Sequence, residues 1–318
     1  MRSDKALRFK VSERMKRLKT IRLAAALILL AACQPNDAAR SVDIAACGLP
    51  ETELAGFVQV PAGSFVMGMA AYYPEEGPAR RLHVDGFSIQ SHEVTTAQFA
   101  RFIEATGYIT DVERDRQEGR PGAGSAVFML PEQRSVTAAP WILAPDASWR
   151  SSDGDGQDWQ QRLSEPVVHV SKNDADAYAR WAGGRLPTAI EWEYAASLGL
   201  PDSDNPVSSA YRDGRAVANT WQGIFPFDNT AADGFSGVAP VGCFQPNSLG
   251  LYDMIGNVWE WTETAYSGGR HTLKGGSYLC ADNFCRRYRP AARQPQETDF
   301  SSSHIGFRII KVAGGDSD

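Results

Sequence analysis

Two cysteines five residues apart carry the most distinctive chemistry in this sequence. Cys280 and Cys285 bracket Ala281-Asp-Asn-Phe284, and Arg286, Arg287 and Arg289 follow at once. Guanidinium groups beside a thiol favour its ionised form, and thiolates are what nucleophilic and soft-metal chemistry require. A Cys-x4-Cys spacing also fits a plain disulfide in an exported protein. As a metal site, two thiolates with no histidine or carboxylate partner suit Cu(I) better than zinc, which would need two more ligands. The five histidines (83, 92, 169, 271 and 304) are scattered, which argues against a zinc or non-haem iron site. His169, in Val167-Val-His-Val170, reads as a satisfied core histidine. There is no Gly-x-Ser-x-Gly, phosphate loop or dinucleotide fingerprint.

The elements that must position the cysteines are short. Phe57 to Gly68 alternates like a hairpin turning at Pro61-Ala62-Gly63, and Leu82 to Ile89 is a further strand signal. Thr95-Thr-Ala-Gln98 is a capping box opening a helix that Gly107 stops. Ser171-Lys-Asn-Asp174 and Thr188-Ala-Ile-Glu191 start two more helices, through Trp181 and through Ala196. Trp181, Trp192 and Tyr194 read as core packing. Residues 111–165 and 198–240 are polar and aperiodic, and loops that long inside one domain are usually functional or held by ions.

The 318 residues are 43% hydrophobic and 22% charged, with 29 Gly, 18 Pro and 8 Trp, which excludes disorder, collagen and coiled coil. The formal net charge of −6 hides a split. Residues 1–32 hold nine Lys/Arg against Asp4 and Glu13, a net of +7, leaving −13 for the remainder. An acidic body argues against nucleic acid as a partner. The basic head runs into ten apolar residues, Leu23 to Ala32, too few for a membrane span but suited to a signal-peptide core. Leu30-Ala-Ala-Cys33 then looks like a bacterial lipobox, with Cys33 as the lipidated residue and Met15 as an alternative start. The expected organisation is a signal peptide over 1–32, a tether over 33–55, a catalytic-type domain over 56–312 and a tail over 313–318. The mature protein is expected to be exported, lipid-anchored and facing an oxidising periplasm.

The stretches around the cysteines match a family. Val60-Pro-Ala-Gly-Ser-Phe-Val-Met-Gly68, His92-Glu-Val-Thr95, Arg185-Leu-Pro-Thr-Ala-Ile-Glu-Trp-Glu-Tyr194, Gly250 to Trp261, Gly275-Gly-Ser-Tyr278 and His304-Ile-Gly-Phe-Arg308 together resemble the formylglycine-generating enzymes, or sulfatase-modifying factors. The resemblance covers roughly Phe57 to Ile310. Asn219 to Pro226 and Asp233-Gly-Phe235 resemble the enzymes more than the wider superfamily, whose members can keep the scaffold without the cysteines. The resemblance implies an irregular, loop-rich α+β fold of the C-type-lectin-like kind. It implies a copper-dependent oxidase that uses O2 and a thiol reductant on an unfolded sulfatase segment containing Cys-x-Pro-x-Arg. In that scheme Cys280 and Cys285 hold Cu(I), the substrate cysteine joins them, a hydrogen leaves its β-carbon, and the thioaldehyde hydrolyses to Cα-formylglycine. Ser277 would line the pocket and Trp259 would wall it.

Two Ca2+ sites are also implied. One would use Asn219 and Asp233 side chains with the Thr220 and Phe235 carbonyls, the other Asp253 and Glu260 with the Gly256 and Val258 carbonyls. Turn-forming Asn and Asp bonded to local backbone are the alternative. Lys172, Ala281 and Pro290 depart from the family pattern, the last where the vertebrate enzyme has a cysteine. Cys47 and Cys243 are left over and are expected to pair. A non-catalytic, lipid-anchored binding module that retains the fold is the competing function. An iron-dependent sulfoxide synthase relative fits poorly, since the paired-His helical domain of those enzymes is absent.

Overall fold

The capping boxes start helices as their spacing predicts. In this computed structural model, which describes residues 47–50, 56–135, 137–154, 156–198, 210–212 and 214–311, the first helix, α1, spans Thr96–Thr106. The Thr95 hydroxyl accepts from Gln98 N and the Gln98 side chain accepts from Thr95 N, so two otherwise orphaned donors are satisfied. Gly107, at φ 65°, ends the helix in the left-handed region. A shorter helix, α2, spans Asp111–Gln117 inside the stretch expected to be loop, because Thr110 and Glu113 form a further box. Helices α3 (Lys172–Trp181) and α4 (Ala189–Ser197) follow their Ser171 and Thr188 caps.

The strands are short and fall into small sheets. In chain order they are β1 (Phe57–Val60), β2 (Gly63–Met67), β3 (Arg80–Val84), β4 (Phe87–Gln90), β5 (Ser125–Phe128), β6 (Trp141–Ala144), β7 (Gly184–Arg185), β8 (Tyr211–Arg212), β9 (Arg215–Ala216), β10 (Trp259–Ala265), β11 (Arg270–Lys274), β12 (Arg293–Glu297), β13 (Ile305–Gly306) and β14 (Ile310–Lys311). One four-stranded sheet runs β1-β4-β14-β7 and another β12-β11-β10-β13; β2-β3, β5-β6 and β8-β9 pair by themselves.

Two expectations are corrected here. The Phe57–Gly68 hairpin does not form: β1 pairs with β4, while β2 pairs with β3. Tyr194 explains the split, since its hydroxyl donates to Pro61 O at 3.0 Å and lies where a Cβ on Gly63 would sit. The tyrosine wedges the two strands into different sheets. Trp181 is not core: it is 44% exposed, its ring resting on Phe102 and Tyr178 at the end of α3. Trp192 and Tyr194 are buried as expected.

Residues 43–318 form one compact unit. Its largest core cluster includes Phe99, Trp149, Tyr178, Trp261 and Phe307, and it also contains Cys280. A second cluster gathers Ile89, Trp192, Tyr194 and Leu251, and a smaller one gathers Phe128, Trp221, Phe225, Tyr278 and Leu279. His169 is a core histidine, bonded to Ser125 Oγ and Ser152 O, with burial pulling its pKa down to about 4. The expected signal peptide, Cys33, most of the expected tether and the tail lie outside the described residues. No helix among the described residues is long and apolar enough to cross a membrane.

Cys47 and Cys243 are joined by a disulfide across a sequence separation of 196. Leu49 N donates to Val241 O beside it, so the bond fixes the start of the body to the 240s. A cross-link closing so long a loop removes much conformational freedom from the unfolded chain. Cys47→Ser, Cys243→Ser and the double variant should each lower unfolding free energy by about 2–5 kcal/mol. Urea denaturation checks this, and the double variant should match the single ones.

Candidate thiol site

Strand β11 delivers the chain to the cysteines. After Lys274 come Gly275 and Gly276, both at positive φ, and a Cβ on Gly276 would sit 2.5 Å from Arg287 O. Only glycine lets the two arms of the cysteine loop approach so closely. Ser277 follows, fully buried: its hydroxyl accepts from Leu279 N at 3.3 Å and its carbonyl from Cys280 N at 2.9 Å. The serine therefore shapes the turn into Cys280. Ala281 O accepts from both Phe284 N and Cys285 N, which winds the four intervening residues and returns Cys285 beside its partner.

The two sulfurs lie 3.0 Å apart, hydrogen-bonded but not joined as a disulfide. A disulfide would hold them at about 2.05 Å. Cys280 is 1% exposed and Cys285 is half-buried. Their environments push them apart in acidity. The bond from Cys280 lowers the Cys285 pKa, with Arg287 assisting, to about 7; burial, then the neighbouring Cys285, raises Cys280 well above the usual range. Arg287 is itself held by Glu75 at 2.6 Å and stacks 4.1 Å above the Tyr73 ring. Arg289 is buried on Glu76 at 2.6 Å and does not face the thiols as an open charge. Of the three arginines singled out from the sequence, Arg287 is the one whose charge reaches Cys285.

Trp259 is 2% exposed, inside the core cluster that also holds Cys280. The backbone carbonyl of Cys280 accepts from Trp221 N at 3.0 Å, tying the cysteine to the Asn219–Pro226 loop. Asn257, which the sequence reading did not single out, links these parts. Its side chain accepts from Asn219 Nδ2 and Ala239 N and donates to Glu93 Oε1; its carbonyl accepts from Tyr278 N. Its signal in sequence was its place in Gly250 to Trp261.

The two oxygen-rich sets differ. Asp233 accepts from Thr220 N, Gln222 Nε2 and Phe235 N, which is the turn arrangement. Asn219 Oδ1, however, is buried with no hydrogen-bond partner. An orphaned acceptor beside a buried carboxylate fits a hard cation. Around Asp253, the Glu260 carboxylate is already paired, though its Oε1 takes a single bond and keeps a lone pair for a cation. Both its oxygens are engaged by Arg308, at 2.7 and 2.8 Å, and one also by Trp192 Nε1. The buried acceptor left without a partner there is Glu93 Oε2. Burial and then the Asp253 charge raise the Glu93 pKa, and burial raises that of Asp253 to about 6.

For the thiols, the donor set fits a soft monovalent ion: two sulfurs face each other, and no group of three or more His, Cys, Asp or Glu able to hold a metal exists among the described residues. The structure thus sets a half-buried thiol against a buried one in a loop-rich α+β body. Residues 46–313 match the model of the sulfatase-modifying factor enzyme 1-like domain, and the chain belongs to that family. It is 42% identical over 292 residues to the formylglycine-generating enzyme of Mycobacterium tuberculosis, covering 81% of this chain and 98% of that one. The mouse enzyme of the same name is 42% identical, covering 80% and 74%. The mouse inactive C-alpha-formylglycine-generating enzyme 2 is 38% identical, covering 81% and 86%. The solved structure of PvdO from Pseudomonas aeruginosa shares the fold, with a TM-score of 0.57 at 23% identity over 81% of this chain and 94% of that one. With identities of this order to several formylglycine-generating enzymes, the chain is an oxidase of that type.

Iodoacetamide should alkylate Cys285 with a midpoint near pH 7, against about 8.5 for an ordinary thiol. Cys280 should remain protected. Arg287→Met removes a charge that stabilises the thiolate, so the midpoint should rise by about one unit. Peptide mapping of the alkylated protein across pH 5–10 checks both.

Proposed function

We propose that this protein matures sulfatases by oxidising a cysteine in an unfolded Cys-x-Pro-x-Arg segment to Cα-formylglycine. The observation that carries the reading is the hydrogen-bonded, oppositely poised pair Cys280–Cys285, supported by the identity to named formylglycine-generating enzymes. Cys280 and Cys285 would hold Cu(I), which when bound supplies the electron transfer to O2 that no side chain performs. Overall, the substrate cysteine, O2 and two reductant thiols give the aldehyde, hydrogen sulfide, water and a reductant disulfide. The chain's own contributions are structural and electrostatic. Cys280 and then Arg287 favour the Cys285 thiolate, Ser277 sets the turn that buries Cys280, and the core around Trp259 excludes water behind it. Ca2+ would sit at Asn219 and Asp233 with the Thr220 and Phe235 carbonyls, meeting the orphaned Asn219 oxygen. At the second place Asp253 and Glu260, with the Gly256 and Val258 carbonyls, would be the ligands, Glu260 sharing its carboxylate with Arg308.

The same reading places the enzyme outside the cytoplasm on a lipid anchor at Cys33. The lipobox pattern supports it, as does the Cys47–Cys243 disulfide. An exported sulfatase that arrives unfolded would present its cysteine there.

A synthetic Cys-x-Pro-x-Arg peptide, incubated with protein, Cu(I), O2 and dithiothreitol, should lose 18 Da (about the net change of sulfur for oxygen and two hydrogens). Cys280→Ser and Cys285→Ser should each reduce the rate by about 10³-fold or more, as expected when one member of a concerted pair is removed. Mass spectrometry with aldehyde trapping reads the product. Absence of aldehyde with the wild-type protein rejects the reading in favour of a binding module.

A further inference from the structure

A line of aromatic rings runs outward from the thiol site. Phe284, the residue before Cys285, stacks on Phe225 at 4.5 Å; Phe225 stacks on Phe128 at 5.4 Å; and Phe128 meets Trp141 of β6 at 5.3 Å. The inner two rings are buried, whereas Phe284 is 63% and Trp141 37% exposed. Ile224 and Phe227, flanking Phe225-Pro226, are 62% and 59% exposed. Arg134 fastens that turn to the β5–β6 connection, donating to Pro226 O at 2.6 Å and to Met129 O and Ala138 O. Exposed apolar side chains thus stand at both ends of the ring stack, on the cysteine loop and on the hairpin, with Ile224 and Phe227 on the turn fastened beside it.

The hairpin adds a second feature. On one side β5 bonds to Ser301 and Ser303, so its two edges are occupied by that segment and by β6. Beyond β6, no further strand pairs among the described residues. Successive residues of a strand face opposite ways, yet Trp141, Ile142 and Leu143 are all exposed. Soluble proteins usually blunt such an edge with charge, proline or a covering segment. Pro140 and Pro145 here limit its length, but the three residues between it and Ala144 are all apolar.

We propose that the open edge of β6, with Ile224, Phe227 and Phe284, docks an extended apolar stretch of the polypeptide whose cysteine enters the Cys280–Cys285 site. The inference rests on the proposed oxidation of an unfolded segment. Three observations select that occupant. A strand edge offers its N–H and C=O groups to an extended chain, which an unfolded substrate is. The exposed side chains match apolar residues, which an unfolded chain has not yet buried. The ring stack ends one residue from Cys285, so packed side chains join the hairpin to the place where the substrate cysteine must arrive.

The test compares three peptides: a Cys-x-Pro-x-Arg core, the same core flanked on both sides by four alternating Val and Thr residues, and that long peptide with N-methylated flanks. The flanked peptide should show a KM about tenfold lower than the core peptide at similar kcat, with N-methylation removing most of the gain. Ile142→Lys and Phe227→Ser should each cut the advantage of the flanked peptide to about twofold or less. Ile142→Thr, which keeps the strand-favouring branched side chain, should give an intermediate value, and thermal melts confirm that each variant folds. Equal KM for core and flanked peptides overturns the proposal. So does a variant that retains the full advantage while losing binding to anionic lipid vesicles, or dissociating a dimer in sedimentation. Anisotropy of the labelled peptides reads the surface independently of turnover. Absence of aldehyde on every peptide would count against the thiol-site reading, whereas flank-insensitive binding would count against this one.

Discussion

Arg308 is fully buried, and the body is arranged around neutralising it. Its guanidinium takes both oxygens of Glu260 and reaches the carbonyls of Tyr252, Asp253, Gln90 and Ser91. A charge removed from water must be paired and hydrogen-bonded, and breaking such a pair by deleting one partner costs about 3–5 kcal/mol. Arg308 thereby fixes the end of β4, the turn at 252–253 and the start of β10 relative to each other. Trp192 Nε1 adds α4 to the same carboxylate. Because β10 pairs with β11, and β11 leads through Gly275 and Gly276 to Cys280, the frame that holds the arginine also aims the cysteine loop. Lys274 at the end of β11 repeats the device on Glu193, both buried, at 2.8 Å.

Upon that frame the site is made unequal. One thiol is sealed in the core and the other faces a cation held by Glu75 and Tyr73. Burial raises the Cys280 pKa, while the bond from Cys280 and the Arg287 charge lower that of Cys285, so the two identical residues are unequal in acidity. Asn257 carries the connection to the polar loops, since one amide joins the Asn219 loop, Ala239, Glu93 and, through its carbonyl, Tyr278. Cys280 therefore sits where the apolar core meets this polar network.

What could be read from sequence was local. Capping boxes at Thr95, Ser171 and Thr188 fix helix starts because all participating atoms lie within four residues. The cysteine pair was legible because its two members are five residues apart and the arginines adjoin them. Partner choice was not: the alternation of Phe57 to Gly68 describes two strands but cannot say that Tyr194 would part them. The β5–β6 hairpin escaped notice because its strands are four residues long and β6 is apolar on both faces, leaving no period to detect. The pairing of Glu260 was equally hidden, since its partner Arg308 stands 48 residues away in another motif. Glu93 and Asn257 acquire their roles from contacts across more than 160 residues, beyond any spacing rule.

The account depends on Cys280 and Cys285 acting together as a reduced, two-sulfur site. X-ray absorption at the copper edge of protein loaded with one equivalent of Cu(I) under reducing conditions tests this most directly. Two sulfur ligands with no nitrogen or oxygen shell, lost in both Cys280→Ser and Cys285→Ser, is the predicted result. A spectrum with nitrogen or oxygen ligation, or one unchanged by either substitution, would contradict it.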